Sequence, residues 1–130
     1  MLANVDADTG QDLMRQWGVE SWVDPCAEYA VYDQCCVFAV VNQGDFLDIH
    51  MAMDASRRRH CREAGKAILA EIGHHRLRAV ILADRPRVCN YASKMGFSGA
   101  HLETVKLVDG SAASVFIMWR EPGGNNGRSN

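Results

Sequence analysis

Between Glu28 and Ala83 the apolar residues switch from strand-like alternation to helical spacing and back, so strands and helices must share one core. Three strand-like runs come first: Glu28–Asp33, Cys36–Asn42 and Asp45–Met53. Gln34–Cys35 and Gln43–Gly44 are short enough to be hairpin turns, and Gly44 tolerates a positive φ. The third run carries Phe46, Ile49, Met51 and Met53, with a break in alternation near Leu47 that predicts a bulge. Cys61, Ala64, Ile68, Leu69 and Ile72 then recur at helical spacing, which predicts a helix from about Ser56 to Ile72, capped by Asp54 or Ser56 and ended by Gly73. Leu77–Ala83 is a nearly continuous apolar run and predicts a strand buried on both faces.

The flanks carry weaker signals. Residues 1–9 read as loose, and residues 10–17 as a short helix with Leu13, Met14 and Trp17 on one face, stopped by Gly18. Pro25 disfavours a helix through Asp24. After Ala83, Asp84 is set to cap a helix with Pro86 in its first turn, Val88, Tyr91, Ala92 and Met95 facing inward, and Gly96 at its end. Strands are expected over Leu102–Val108 and Ala113–Trp119, joined at Asp109–Gly110. Residues 120–130 read as a flexible polar tail. The order of elements predicts an α/β (α+β) fold in a single domain over residues 1–119, with its core in 28–119 and helices covering a mixed sheet.

Composition narrows the function classes. A chain of 130 residues with 48% hydrophobic content can bury one continuous core. A net charge of −2 argues against a general nucleic-acid binder, which needs excess Lys and Arg. No apolar run approaches the roughly 20 residues of a membrane span, and the acidic start MLANVDADTG lacks a signal-peptide pattern, so a cytoplasmic site is expected. Cys26, Cys35, Cys36, Cys61 and Cys89 are odd in number and form no C-x-x-C pair, so neither a disulfide framework nor a metal site is expected. Most of them read as small buried hydrophobes.

The segment Met53–Ile68 carries the chemistry. Arg57, Arg58 and Arg59, with Arg62 one turn on, stand at a helix start, where each opposes the macrodipole by about 0.3–1 kcal/mol. Free amides there already attract anions, so the arginines suit a phosphate or other acidic partner; a solvated basic cluster is the plainer reading. On the preceding strand His50 has the residue type of a general base, or else packs and hydrogen-bonds within the sheet. Asp45 and Asp48 suit a cationic amine, or a solvated strand edge. Trp17, Trp22 and Trp119 read as core or interface anchors.

From residue 28 to 119 the order of elements resembles the GNAT (GCN5-related N-acetyltransferase) superfamily. That family's Gln/Arg-x-x-Gly-x-Gly/Ala loop, whose amides cradle the pyrophosphate of acetyl-CoA, aligns with His60-Cys61-Arg62-Glu63-Ala64-Gly65, followed by Lys66-Ala67-Ile68-Leu69. Its later Gly-Phe signature aligns with Tyr91-Ala92-Ser93-Lys94-Met95-Gly96-Phe97. The resemblance implies a mostly antiparallel, twisted sheet. It also implies acetyl-CoA contacts from Met51, Met53, Arg57, Arg58, Arg59, His60, Arg62, Ala64, Gly65, Lys66 and Arg85, with His50 as catalytic base. There are departures. Glu63 stands at the first loop glycine, Arg85 where an Asn often contacts the cofactor, and Ala92 where a Tyr often protonates the departing thiolate. Tyr91 is one residue away, which on a helix points it to another face. The pattern, including Asp48-Ile49-His50-Met51-Ala52-Met53, is similar to the small GNAT-like proteins of tailed bacteriophages and prophages. Two readings stay open: an acetyltransferase acting on a small-molecule or protein amine, and a non-catalytic virion or assembly protein that contacts phage structural proteins or itself. The second adds incorporation in a virion to the cytoplasmic expectation.

Overall fold

A computed structural model describes residues 1–107 and 110–122. Its elements are β1 (Leu2–Val5), α1 (Ala7–Trp17), β2 (Glu28–Tyr32), β3 (Cys36–Asn42), β4 (Leu47–Met53), a 3-10 helix (Ala55–His60), α2 (Cys61–Ile72), β5 (Leu77–Leu82), α3 (Pro86–Lys94), β6 (Ser98–Lys106) and β7 (Ala112–Arg120). The strands form one sheet in the order β1-β2-β3-β4-β5-β7-β6. Every pairing is antiparallel except β4 with β5. The α2 connection makes that one pairing parallel, since a crossover is needed to bring the chain back to the same end of the sheet.

The helices divide unevenly over the two faces. Met14 of α1 packs with Tyr29, Val31, Val37, Ala39 and Ala52 on one face. On the other, Ala64 and Ile68 of α2 pack with Cys35, Cys36 and Phe38, and Ala92 of α3 packs with Leu77, Ala79 and Ile81. α1 touches β2, β3 and β4, so it leaves its face of β5 without a helix. The expectation that β5 is buried on both faces therefore fails. Leu77, Ala79 and Ile81 are buried, while Arg78, Val80 and Leu82 are only partly so.

Other expectations are corrected by local chemistry. Residues 1–9 are structured: β1 pairs with β2, and Asp6 caps α1 by accepting from the Thr9 amide at 2.7 Å. A four-residue edge strand gains its pairing from backbone groups and leaves almost no side-chain pattern to read. The β2–β3 turn is Asp33–Gln34, both at positive φ, closed by Cys35 N–H to Tyr32 O at 3.0 Å. No bulge occurs near Leu47, because β3 and β4 pair without a shift from Cys36↔Met53 to Asn42↔Leu47. Phe46 lies in the preceding turn instead, edge-on to Trp119 at 5.0 Å. β6 begins at Ser98, and a register shift between Ser98 and His101, with Gly99 at φ +75°, replaces the expected loop. Asp84 does not cap α3; Arg85 holds that position with no side-chain cap bond. Gly96, at φ +97°, ends α3 in the left-handed region, as its sequence position predicts. Asp109 of the expected turn and residues 123–130 of the expected tail lie outside the described residues, whereas Arg120 belongs to β7 and is buried.

Candidate functional site

The parallel pair β4–β5 is short. It runs only from Leu47↔Leu77 to Ile49↔Ala79, after which the strands separate. The backbone period decides which amides face the gap. Leu47 N–H donates toward β5, to Arg76 O at 2.9 Å, and Asp54 N–H donates toward β3, to Cys35 O at 2.8 Å. Period-two alternation then turns the amides of Ile49, Met51 and Met53 toward β5. Beyond Ile49 there is no ladder partner, so the Met51 and Met53 N–H groups border an open wedge.

A cavity of about 130 Å³ passes through this wedge. On the α1 face it is lined by Met14, Trp22 and His50, and on the α2–α3 face by Met51, Tyr91 and Phe97. A wider groove of about 670 Å³ lies alongside, bordered by Met51, Met53, Arg58, Cys61, Asp84, Arg85 and Arg87, with Arg85 Nε 3.9 Å from the Asp84 carboxylate. The groove thus joins two donor types suited to an anionic chain: strand amides and guanidinium groups. Among the described residues no cluster of three or more His, Cys, Asp or Glu side chains is arranged to hold a metal.

The turn before α2 differs from a helix N-terminus with free amides. A 3-10 helix runs into α2, and Asp54 caps it: its carboxylate accepts the Ser56 amide at 3.0 Å and the Ser56 hydroxyl at 2.8 Å. These bonds hold the Asp54 carboxyl below its usual range. The Arg57 amide donates to Asp54 O, and the Cys61 amide to Arg58 O. Three amides expected to await an anion are therefore already bonded. At the start of α2 itself His60 provides no side-chain cap, so a phosphate here would draw on the amides of that first turn together with side chains.

Of the residues expected to hold a cofactor, the fold brings Met51, Met53, Arg58 and Arg85 to the groove and Gly65 to the cavity wall. Arg57, Arg59, His60, Arg62, Ala64 and Lys66 line neither. The Met1 ammonium pairs with Asp33 and lowers its pKa, with smaller pulls from His60 and Arg57. His60 also lies 3.4 Å from Glu63, whose side chain is 65% exposed; that carboxylate points out and leaves the groove clear. Ala64 is buried under α2 against the sheet.

His50 lies on the α1 face, its ring 4.9 Å from that of Trp22. Burial pushes its pKa below the ordinary histidine value, outweighing the opposing pull of Asp48 and Asp24. Beside it, Asp48 is bound by Arg78 through two contacts of 2.6 and 2.7 Å and by Gln43 at 2.8 Å. Asp48 is thus a paired, buried carboxylate; the solvated-edge reading does not hold for it. Arg78 in turn stacks 4.8 Å from the Phe46 ring.

Sequence reasoning missed three contributors. Arg87 is one more arginine in a basic segment and has no sequence signal of its own. Trp22 reaches the cavity from the α1–β2 connection, a placement that only the fold fixes. Tyr91 was expected on another helix face, yet it lines both the cavity and the groove, and it is Ala92 that packs under β5. The stripe of α3 that faces α2 runs through Tyr91, whose hydroxyl donates to Cys61 O at 2.8 Å. Burial raises the Tyr91 pKa, so the phenol stays protonated.

No protein-family profile and no curated protein matches the sequence. Solved structures match the fold over nearly the whole chain. The ribosomal-protein-S18-alanine N-acetyltransferase from Escherichia coli superposes with a TM-score of 0.65 at 12% identity, covering 99% of this chain and 99% of that one. An acetyltransferase of the GNAT family from Streptococcus pneumoniae gives 0.62 at 10% identity, covering 95% and 99%. The yncA structure from Salmonella typhimurium, with its cofactor acetyl-CoA, gives 0.63 at 9% identity, covering 99% and 97%. Identities this low speak to architecture. The chain has the GNAT fold: a mixed, mostly antiparallel seven-stranded sheet flanked by helices. None of these three matches bears on a phage origin.

Proposed function

We propose that this chain is a GNAT-fold N-acyltransferase that takes its acyl group from acetyl-CoA and passes it to an amine. The observation that carries this reading is the wedge between β4 and β5, open at the Met51 and Met53 amides and flanked by Arg58, Arg85 and Arg87. One neighbour of the same fold was solved with acetyl-CoA. The residues present fit such a group. Guanidinium side chains suit its phosphates, strand amides suit its amide-bearing arm, and an apolar cavity suits its acyl end. Because the Ser56, Arg57 and Cys61 amides are bonded, arginine side chains and the uncapped first turn of α2 share the phosphate binding.

Acetyl-CoA, when bound, supplies a thioester-activated acyl group. His50 accepts the proton that the amine nitrogen loses as it forms its bond to the acyl carbon, while the carbon–sulfur bond breaks and the thiol leaves with a proton from solvent. A neutral His50 is needed for this, and its burial provides one near pH 7. The free Met51 amide stands at the gap as a donor for the acyl oxygen.

Calorimetric titration with acetyl-CoA tests the reading. Saturable heat at ligand concentrations up to about 1 mM is expected, a weak but measurable affinity. No heat over that range overturns it.

A non-catalytic scaffold of the phage type, contacting structural proteins or a second copy, is the second reading. It is favoured by the bonded amides before α2 and by Ala92 at the position of the family's tyrosine. It predicts no response to acetyl-CoA and a stable complex or defined oligomer on isolation.

A further inference from the structure

The α1-face mouth of the wedge has a definite chemistry. Its lining is Met14, Val19, Trp22, His50, Val80 and Leu82. Among the described residues that line the cavity none is Asp or Glu. Two carboxylates lie near enough to act on His50, and both are committed. Asp48 is held by Arg78 and Gln43. Asp24 accepts the Cys26 and Ala27 amides at 3.1 and 3.0 Å. A second ammonium group entering this mouth would lose its water against a wall that carries no carboxylate, a large penalty in an apolar setting. Size adds a limit, because an apolar cavity of about 150 Å³ holds one benzene and the 130 Å³ found here is shared with the acyl end, so only a small apolar body fits.

We infer that the acceptor is a small primary amine with one nitrogen and an apolar body, aromatic or branched aliphatic, seated between Trp22 and the Val80–Leu82 edge with its nitrogen at His50. The inference rests on the acyltransferase reading above. It adds the class of acceptor, which neither the fold nor the cofactor groove specifies. Val80 and Leu82 become specificity residues because β5 has no helix over them on this face. Two hydrogen bonds in series fix the orientation of Trp22. Its indole N–H donates to the Tyr29 hydroxyl at 2.9 Å, which in turn donates to Asp24 O at 2.6 Å. That chain sets the Trp22 ring beside His50, the two planes tilted at 59°.

The experiment takes the whole chain, establishes acetyl-CoA binding by calorimetry, and then follows thiol release with phenethylamine, isoamylamine and spermidine as acceptors. The kcat/KM for the two apolar amines is expected to exceed that for spermidine by at least about tenfold, the scale on which apolar pockets discriminate. Leu82→Asp should narrow or invert the ratio, and V80D should do the same if Leu82→Asp fails to fold. Preference for spermidine in the wild type overturns the inference and leaves the acyltransferase reading standing. So does acetyl-CoA binding without transfer to either apolar amine. Absence of acetyl-CoA binding removes both.

Discussion

The Tyr91 hydroxyl lies 2.3 Å from where a side chain on Gly65 would begin, so the glycine of α2 exists to admit the tyrosine of α3. The Met95 sulfur is nearly as close, at 2.6 Å, but it sits on a flexible arm that can move. The phenol cannot, because its hydroxyl is bonded to Cys61 O. Gly65→Ala would gain about 1 kcal/mol in helix propensity. Overpacking costs about 1–3 kcal/mol and should win. Thermal unfolding is expected to show a net loss of up to about 2 kcal/mol, with part of it recovered in the Gly65→Ala, Tyr91→Phe double variant. A neutral or stabilising Gly65→Ala would show that the two helices are not locked together here.

Asp48 and Arg78 face each other across the paired part of β4–β5 and hold it shut at one end of the wedge. The carboxylate is 5% exposed and the guanidinium 30%, so removing one partner strands a largely buried charge. Asp48→Asn should cost about 2–4 kcal/mol, below the loss for a fully buried pair because Arg78 keeps some water. Chemical denaturation measures it. A double replacement, Asp48→Leu with Arg78→Met, should recover much of the loss, since apolar substitutes of similar volume often equal a buried pair.

The strands that meander and the helices that carry apolar stripes were legible because their side chains repeat at a period. β2, β3, β4, α2, β5 and α3 all have that property. β1 does not: it is four residues long and defined by backbone pairing at a sheet edge. The 3-10 helix was unreadable for another reason. Ala55–His60 follows the same polar pattern as a first helical turn, and only backbone geometry sets it apart: Arg57 kinks it from within, the Cys61 amide bonds three residues back to Arg58 O, and His60 leaves helical φ/ψ just before α2. The site divides along the same line. Arg58, Arg85 and His50 announce themselves by residue type. Trp22 and Tyr91 become site residues only through the crossing of loop and helix over the wedge. The uncovered face of β5 was also invisible, because it depends on how far α1 reaches across the sheet.

On the proposed reading, His50 gives the activity its pH dependence. Its folded pKa is lowered by burial, so as a base it remains neutral to a pH below the ordinary histidine range near 6.5. The acid limb of kcat/KM is expected below pH 6.5, with a plateau through neutrality. His50→Gln should flatten that limb and lower kcat by about a hundredfold or more. Stability should follow the same sign. A depressed histidine pKa means the unfolded chain binds the proton more readily, so stability falls as the pH drops below about 6.5. His50→Gln should remove that component of acid sensitivity in a pH series of unfolding midpoints. An unchanged acid limb in the variant would assign the base to another group.

The arginines divide into two sets that the sequence does not separate. Arg58, Arg85 and Arg87 border the groove. Arg57 lies toward Asp33 and Asp54, whose pKa values are lowered chiefly by the Met1 ammonium and by Ser56, with a smaller pull from Arg57. If side chains carry the phosphate contacts, Arg58→Ala and Arg85→Ala should each weaken acetyl-CoA binding by about three- to tenfold, the range of an exposed to half-buried charged hydrogen bond. Arg57→Ala should leave affinity within about twofold. Raising the salt concentration should weaken the wild type and narrow its difference from the groove variants, because exposed charges are screened within about 10 Å at 0.1 M ionic strength. Dephospho-CoA and pantetheine, titrated in parallel, locate the loss: the variants should lose their effect only on the ligand without phosphates. Equal effects of Arg57→Ala and Arg85→Ala would mean that the cluster acts through overall charge, and that the groove makes no distinct contact with the phosphates.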